Sequence, residues 1–393
     1  MGKSAFRLLM ILLPFTNIIS NRVDETIGIY ILLGLFVLSF VASSSNPLRT
    51  RREKRLKTLG VVCATFVVIY ALISFGLGIN NIYYVRFYGL FMLLLPFLAS
   101  KNAIRFYYRY LPGYLKYLIA LITVSIVIDA ILMAMGLLTM QPMYSPEQYA
   151  YTTRPFGLFG QPSVNSTLLC FFYIFYNSLD CKKTKEKDIL FLIVTIGVLV
   201  QGSGSGFISY FFVLLLKFGL PNRKKIQKIP RKLIFLFVFL TAVFIGIVLS
   251  NKVEHISLDY ILVLLDFSNE ELWLPYLSSL KSPSYVYFGV PETEISIDLG
   301  PLFIIATVGV LFFIFLTILF FYLFKQSRQL SMKFAIIMLL VGNLHYPVMF
   351  YFVMNFMWFF IVYHIMVGNY EREVHSDSNV NLQPQVVISQ SAN

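Results

Sequence analysis

The 393 residues are 58% hydrophobic and 13% charged, against about 25% charged in an ordinary soluble domain. That excludes a soluble globular enzyme and leaves an all-α polytopic integral membrane protein. The net charge of +13 does not point to nucleic acid, because the Lys and Arg residues fall in short clusters between apolar runs, the pattern of cytoplasmic loops.

A spanning helix needs about 20 largely apolar residues. The apolar runs predict helices near 5–20, 27–44, 59–79, 82–99, 115–138, 163–179, 189–202, 205–219, 232–250, 299–324, 333–347 and 349–367, about twelve transmembrane helices in all. Lys3 and Arg7 precede the first run and no small-residue cleavage site follows Ile19. The first run therefore reads as a retained helix rather than a removed signal peptide. Clusters at 49–57, around Lys101, Arg105, Arg109 and Lys116, around Lys182 to Lys187, at 217–232, and around Lys325, Arg328 and Lys333 make every second loop basic. Those loops are read as cytoplasmic, and both termini with them.

The alternate loops face the other side, and two of them are substantial. One is 139–162, with Arg154 as its cation. The other is 251–298, which is acidic and has two stretches of helix-like apolar spacing, read as amphipathic helices on the outer surface. Residues 1–368 form a single transmembrane domain in this reading, and the polar tail 369–393 is expected to be disordered. Cys63, Cys170 and Cys181 lie within or just inside predicted spans, so no disulfide framework is implied.

The segment TTRPFGLFGQPS, 152–163, places Arg154 before Gly157, Gly160 and Pro162. A guanidinium beside backbone that Gly and Pro keep out of regular helix suits an oxyanion such as a phosphate. An ordinary interhelical loop with an interfacial Arg would read the same way. GSGSG at 202–206 lies at an outer turn, where the backbone of Gly202, Gly204 and Gly206 could cradle an anion or simply allow close helix packing. Asp129 falls inside the fifth predicted helix; an intramembrane carboxylate is either functional or a packing partner near the surface. His255, His345, Glu294 and Asp298 are candidate general bases, set against the plainer readings of interfacial histidines and of carboxylates favoured by a helix N-terminus. No phosphate-binding loop, His-Glu-x-x-His or paired-cysteine metal motif occurs, so no metal and no cofactor is expected.

Together, the outer-loop RPFG (154–157) with Gln161-Pro162, the turn GSGSG, and the long outer loop leading into FGVPETEISIDLGPLFIIATVGVLFF (288–313) resemble the O-antigen polymerase (Wzy-type) and O-antigen ligase superfamily. The resemblance covers most of the chain in topology and three short blocks in sequence. It implies a helical, lipid-phosphosugar-using glycosyltransferase of the bacterial cell inner membrane. The implied substrates are undecaprenyl-pyrophosphate-linked glycans, with membrane lipids, a chain-length regulator and a flippase as further partners. Arg154 and the glycines at 202, 204 and 206 would bind the pyrophosphate, and Asp298, Glu294, His255 or His345 would supply the base. Glu294 and Asp298 stand where the ligases have a His, which favours polymerase over ligase. A lipid-linked oligosaccharide flippase is the competing reading from another class, and a site at Asp24-Glu25, as in polyprenyl-phosphate sugar transferases, is a further one.

Overall fold

The computed structural model describes residues 2–16, 18–19, 30–31, 34, 51–79, 101–137, 139–140, 154–179, 184–219, 282–289, 300–343, 348 and 351–368. The helices expected over 82–99 and 232–250, and that over 27–44 apart from Tyr30, Ile31 and Gly34, lie outside these residues. So do the candidates His255, Glu294, Asp298 and His345, the expected surface helices before 282, and the tail 369–393.

The described structure is helical, and no strand occurs among the described residues. The helices are α1 (Gly2–Leu12), α2 (Arg51–Gly76), α3 (Lys101–Ala134), α4 (Pro162–Ser178) and α5 (Thr184–Gln201), followed by α6 (Gly204–Leu214), α7 (Pro283–Phe288), α8 (Gly300–Gln326), α9 (Leu330–Gly342) and α10 (Phe352–Tyr363). A 3-10 turn follows α1, and α6 and α10 each run on into a wider π turn.

Three stretches among the described residues are long and apolar enough to cross a membrane: Lys54–Gly76 in α2, Tyr110–Ala134 in α3 and Phe303–Gln326 in α8. The protein thus has the long apolar helices of a helical membrane protein. Gly204–Phe218, Leu330–Gly342 and Phe352–Met366 are apolar but shorter. Large apolar side chains on α2, among them Val62, Val68, Ile69, Leu72 and Phe75, are exposed. Such a face would be a liability in water and is an ordinary lipid-facing surface in a bilayer.

The helices are organised around α4. Every residue from Ser163 to Tyr176 is buried, and α4 packs against α3, α5, α6 and α9. Small residues make that possible, since without a hydrophobic drive between membrane helices close backbone approach supplies the packing energy. A Cβ at Gly206 of α6 would strike the Ser166 side chain, one at Gly342 of α9 would strike Thr167, and one at Gly197 of α5 would meet Leu169 and Thr123. At the Ser178 end, Tyr176 donates to Glu186 at 3.0 Å and Lys116 pairs with the same carboxylate at 3.3 Å. These bonds tie α3, α4 and α5 together there. The Pro162 end is built differently and carries the candidate site.

Candidate functional site

At the Pro162 end the chain enters α4 through Arg154–Gln161, a stretch without regular structure whose residues Pro155 to Phe159 are buried. Buried irregular backbone has no ladder to satisfy its polar groups, so side chains must do so. Four do, from three helices. Asp129 of α3 accepts the Gly157 N–H at 2.7 Å through Oδ2 and the Met140 N–H at 2.9 Å through Oδ1. Ser125, one turn earlier on the same face of α3, accepts the Leu158 N–H at 3.0 Å and donates to the Ile122 carbonyl at 2.7 Å.

Asn165 of α4 accepts the Phe159 N–H at 3.2 Å and donates to the carbonyls of Phe156 and Gln161 at 2.6 and 2.8 Å. Gln201, the last residue of α5, donates through Nε2 to the Pro155 carbonyl. Asp129, Asn165 and Gln201 are fully buried and Ser125 nearly so. Gly157 has φ 63°, a left-handed conformation, and a Cβ there would press on the Asn165 amide. Gly therefore lets the loop turn directly over the side chain that holds it.

Arg154 is half-buried at the start of this fixed loop. The GSGSG turn stands beside it, because Gln201 bonds to Pro155 and Gly202 follows Gln201. The three glycines of the turn have different settings. Gly202 takes φ 59° in the turn with open space around it, Gly204 starts α6, and Gly206 lies against Ser166. Ser203 is extended at the N-cap but its side chain makes no capping bond; its Oγ lies 3.1 Å from Ser205 Oγ.

Since α4 and α6 pack side by side with Ser166 against Gly206, near the start of each, both N-termini face this end. Their dipoles and first-turn amides make it favourable to an anion. Ser166 Oγ and Gln201 Oε1 are buried here and accept or donate to no group among the described residues. Among the described residues no group of three or more His, Cys, Asp or Glu side chains could hold a metal ion.

The structure thus brings Arg154 and the glycine turn to one end of the bundle and adds groups that the sequence reading did not single out: Ser125, Asn165 and Gln201. For Ser125 the sequence carries a signal. Ser125 and Asp129 are four apart and share a helix face, which marks a polar stripe within an apolar span. Asp129 was noted from sequence, but its partners are the backbone amides of Met140 and Gly157 rather than Ser, Tyr or Arg side chains. Comparison of the chain with protein-family models, curated proteins and solved structures finds no match.

Proposed function

We propose that this chain is a polysaccharide polymerase of the O-antigen type, joining undecaprenyl-pyrophosphate-linked repeat units at the periplasmic face of a bacterial inner membrane. In this reading it has twelve spans and cytoplasmic termini. An acceptor sugar hydroxyl attacks the anomeric carbon of the donor glycan. The bond from that carbon to the pyrophosphate oxygen breaks, undecaprenyl pyrophosphate leaves, and the hydroxyl proton passes to a base among Asp298, Glu294, His255 and His345. Countering the charge of the leaving pyrophosphate is the largest task for the protein.

The observation that carries the reading is the placement of Arg154 at the start of a loop fixed at four points, beside two helix N-termini. An Arg at the start of a fixed loop, at the end of the bundle where two helices begin, suits a phosphate group. The flippase reading calls for charges along a path through the membrane. Asp129, a buried carboxylate within a described span, is occupied by two backbone amides, so it does not supply that path.

The test is deletion of the gene in its host, with surface lipopolysaccharide separated on a gel. Loss of polymerase leaves a single repeat unit on the lipid core, loss of ligase leaves none, and loss of transport removes the repeat as well. Complementation with Arg154→Ala is expected to restore no chain extension at normal protein level. Arg154→Lys should restore part of it, since charge is kept and the planar fork is lost. Full extension with Arg154→Ala would reduce Arg154 to an interfacial residue and remove the basis of the proposal.

A further inference from the structure

We infer that Asp129 is a positioning residue for Arg154, acting by anchoring the backbone at Gly157, three residues after it, together with that at Met140. The inference rests on the proposed glycosyl transfer for its consequence, but its geometry stands apart from any reaction. Asp129 is fully buried inside the span Tyr110–Ala134, where a carboxylate is costly and so needs a compensating task. One oxygen takes the amide of Met140, just past the end of α3, and the other that of Gly157, within the loop. Gly157 is three residues from Arg154, and the intervening carbonyls of Pro155 and Phe156 are held by Gln201 and Asn165. Asp129 is thus the anchor from α3 in a run of three that follows Arg154 directly.

Two acceptors on one side chain are needed for this. Asp129→Asn keeps one oxygen and turns an NH2 group towards the second amide, so that donor faces donor. The loop must then shift or lose one anchor. A displacement of about 1 Å at a group that steers a reaction can cost about a hundred-fold in rate.

The experiment has two arms. In the first, hydrogen–deuterium exchange is measured on the purified full-length protein in nanodiscs, wild type against Asp129→Asn. Exchange in the peptide 154–161 is expected to quicken by a factor of about five to ten, as loss of one buried bond implies, with α4 and α6 unchanged. Unchanged exchange in 154–161 overturns the positioning role whatever the protein catalyses. In the second arm, chain extension is measured for Asp129→Asn in wild-type and Arg154→Lys backgrounds. A loss of about a hundred-fold in the first and a much smaller loss in the second are expected, because a residue acting through Arg154 is not additive with it. Equal losses in both backgrounds, or faster exchange with extension intact, also overturn the inference.

If Asp129→Asn does not accumulate, Asp129→Glu takes its place. It keeps both acceptor oxygens but sets them one methylene further from α3, so the loop must shift, and it faces the same two outcomes. A failure of the polymerase reading shows separately, as a gene deletion that leaves the polysaccharide pattern unaltered while the exchange result stands.

Discussion

Two short segments, Arg154–Gln161 and Ser282–Gly289, come from the two longer loops of the sequence reading, and both dock against long apolar helices. They are held in opposite ways. Side chains reach into the first from α3, α4 and α5 and satisfy its backbone one group at a time. The second, containing α7, is pressed backbone to backbone against α8 at Gly309, where φ is 82° and the helix breaks. Around that break Tyr70 of α2 stacks on Phe66 and packs against Phe288 and Phe312. A loop held by several side chains loses a share of its anchoring when one is removed. A segment seated through a missing Cβ loses its seat when that Cβ is restored.

That contrast breaks most visibly at Gly309. A Cβ there would fall on the Tyr287 carbonyl oxygen and close to Phe288 N, which is 2.5 Å away. Both are backbone atoms, so neither can swing aside. A positive φ with ψ 164° is open essentially to Gly alone and adds about 1–3 kcal/mol for an L side chain. Gly309→Ala is expected to lower stability by more than about 3 kcal/mol, in the range of overpacking combined with backbone strain. Thermal unfolding in detergent measures the loss, and protease cutting within 282–289 shows whether α7 has come away. Wild-type stability in this variant would mean that the segment is seated by something other than close approach.

Asn165→Ala tests the other side of the comparison. It removes three hydrogen bonds to the loop at once, yet water or relaxed backbone can serve some of the released groups. At about 1 kcal/mol net per bond, the loss should be about 2–3 kcal/mol, smaller than at Gly309. Faster amide exchange at Phe159 with unchanged exchange in α7 would locate the damage. A larger loss than that from Gly309→Ala would reverse the ranking of the two anchoring modes.

The sequence was legible where hydropathy or charge alone decides structure. The apolar runs over 59–79, 115–138 and 299–324 fall on α2, α3 and α8. At two of the three the apolar run starts later than the helix, for a physical reason: α2 begins at Arg51 and α3 at Lys101. Hydropathy records the thickness of the apolar layer, whereas basic residues at a helix end continue the helix beyond it.

Arg154 and the glycine turn were visible as a cation beside breakers. Their mutual placement was not, because it depends on Gln201 meeting Pro155 across 46 residues. The pairing of Asp129 with Gly157 spans 28 residues and is equally hidden: spacing shows which face Asp129 shares with Ser125, not what that face meets. Gly309 was hidden in another sense. Nothing in an unbroken apolar run marks it, and its positive φ occurs where the α7 backbone lies against it.

The smallest expected effect is at Tyr70, and it separates the two components of the second anchor. The hydroxyl of Tyr70 is hydrogen-bonded to the Val308 carbonyl, just before the break, and lies 3.1 Å from the Tyr287 carbonyl. A hydroxyl has one proton, so it serves these two acceptors by sharing. Tyr70→Phe deletes that donor and keeps the ring among Phe66, Phe288 and Phe312. One buried hydrogen bond is worth about 1 kcal/mol net, and the aromatic contacts that remain should keep α7 in place. The expected result is a loss of about 1 kcal/mol in thermal unfolding with no new protease cutting in 282–289. If Tyr70→Phe instead releases the segment as fully as Gly309→Ala, a single side-chain donor holds it. The two segments would then be anchored by the same means after all.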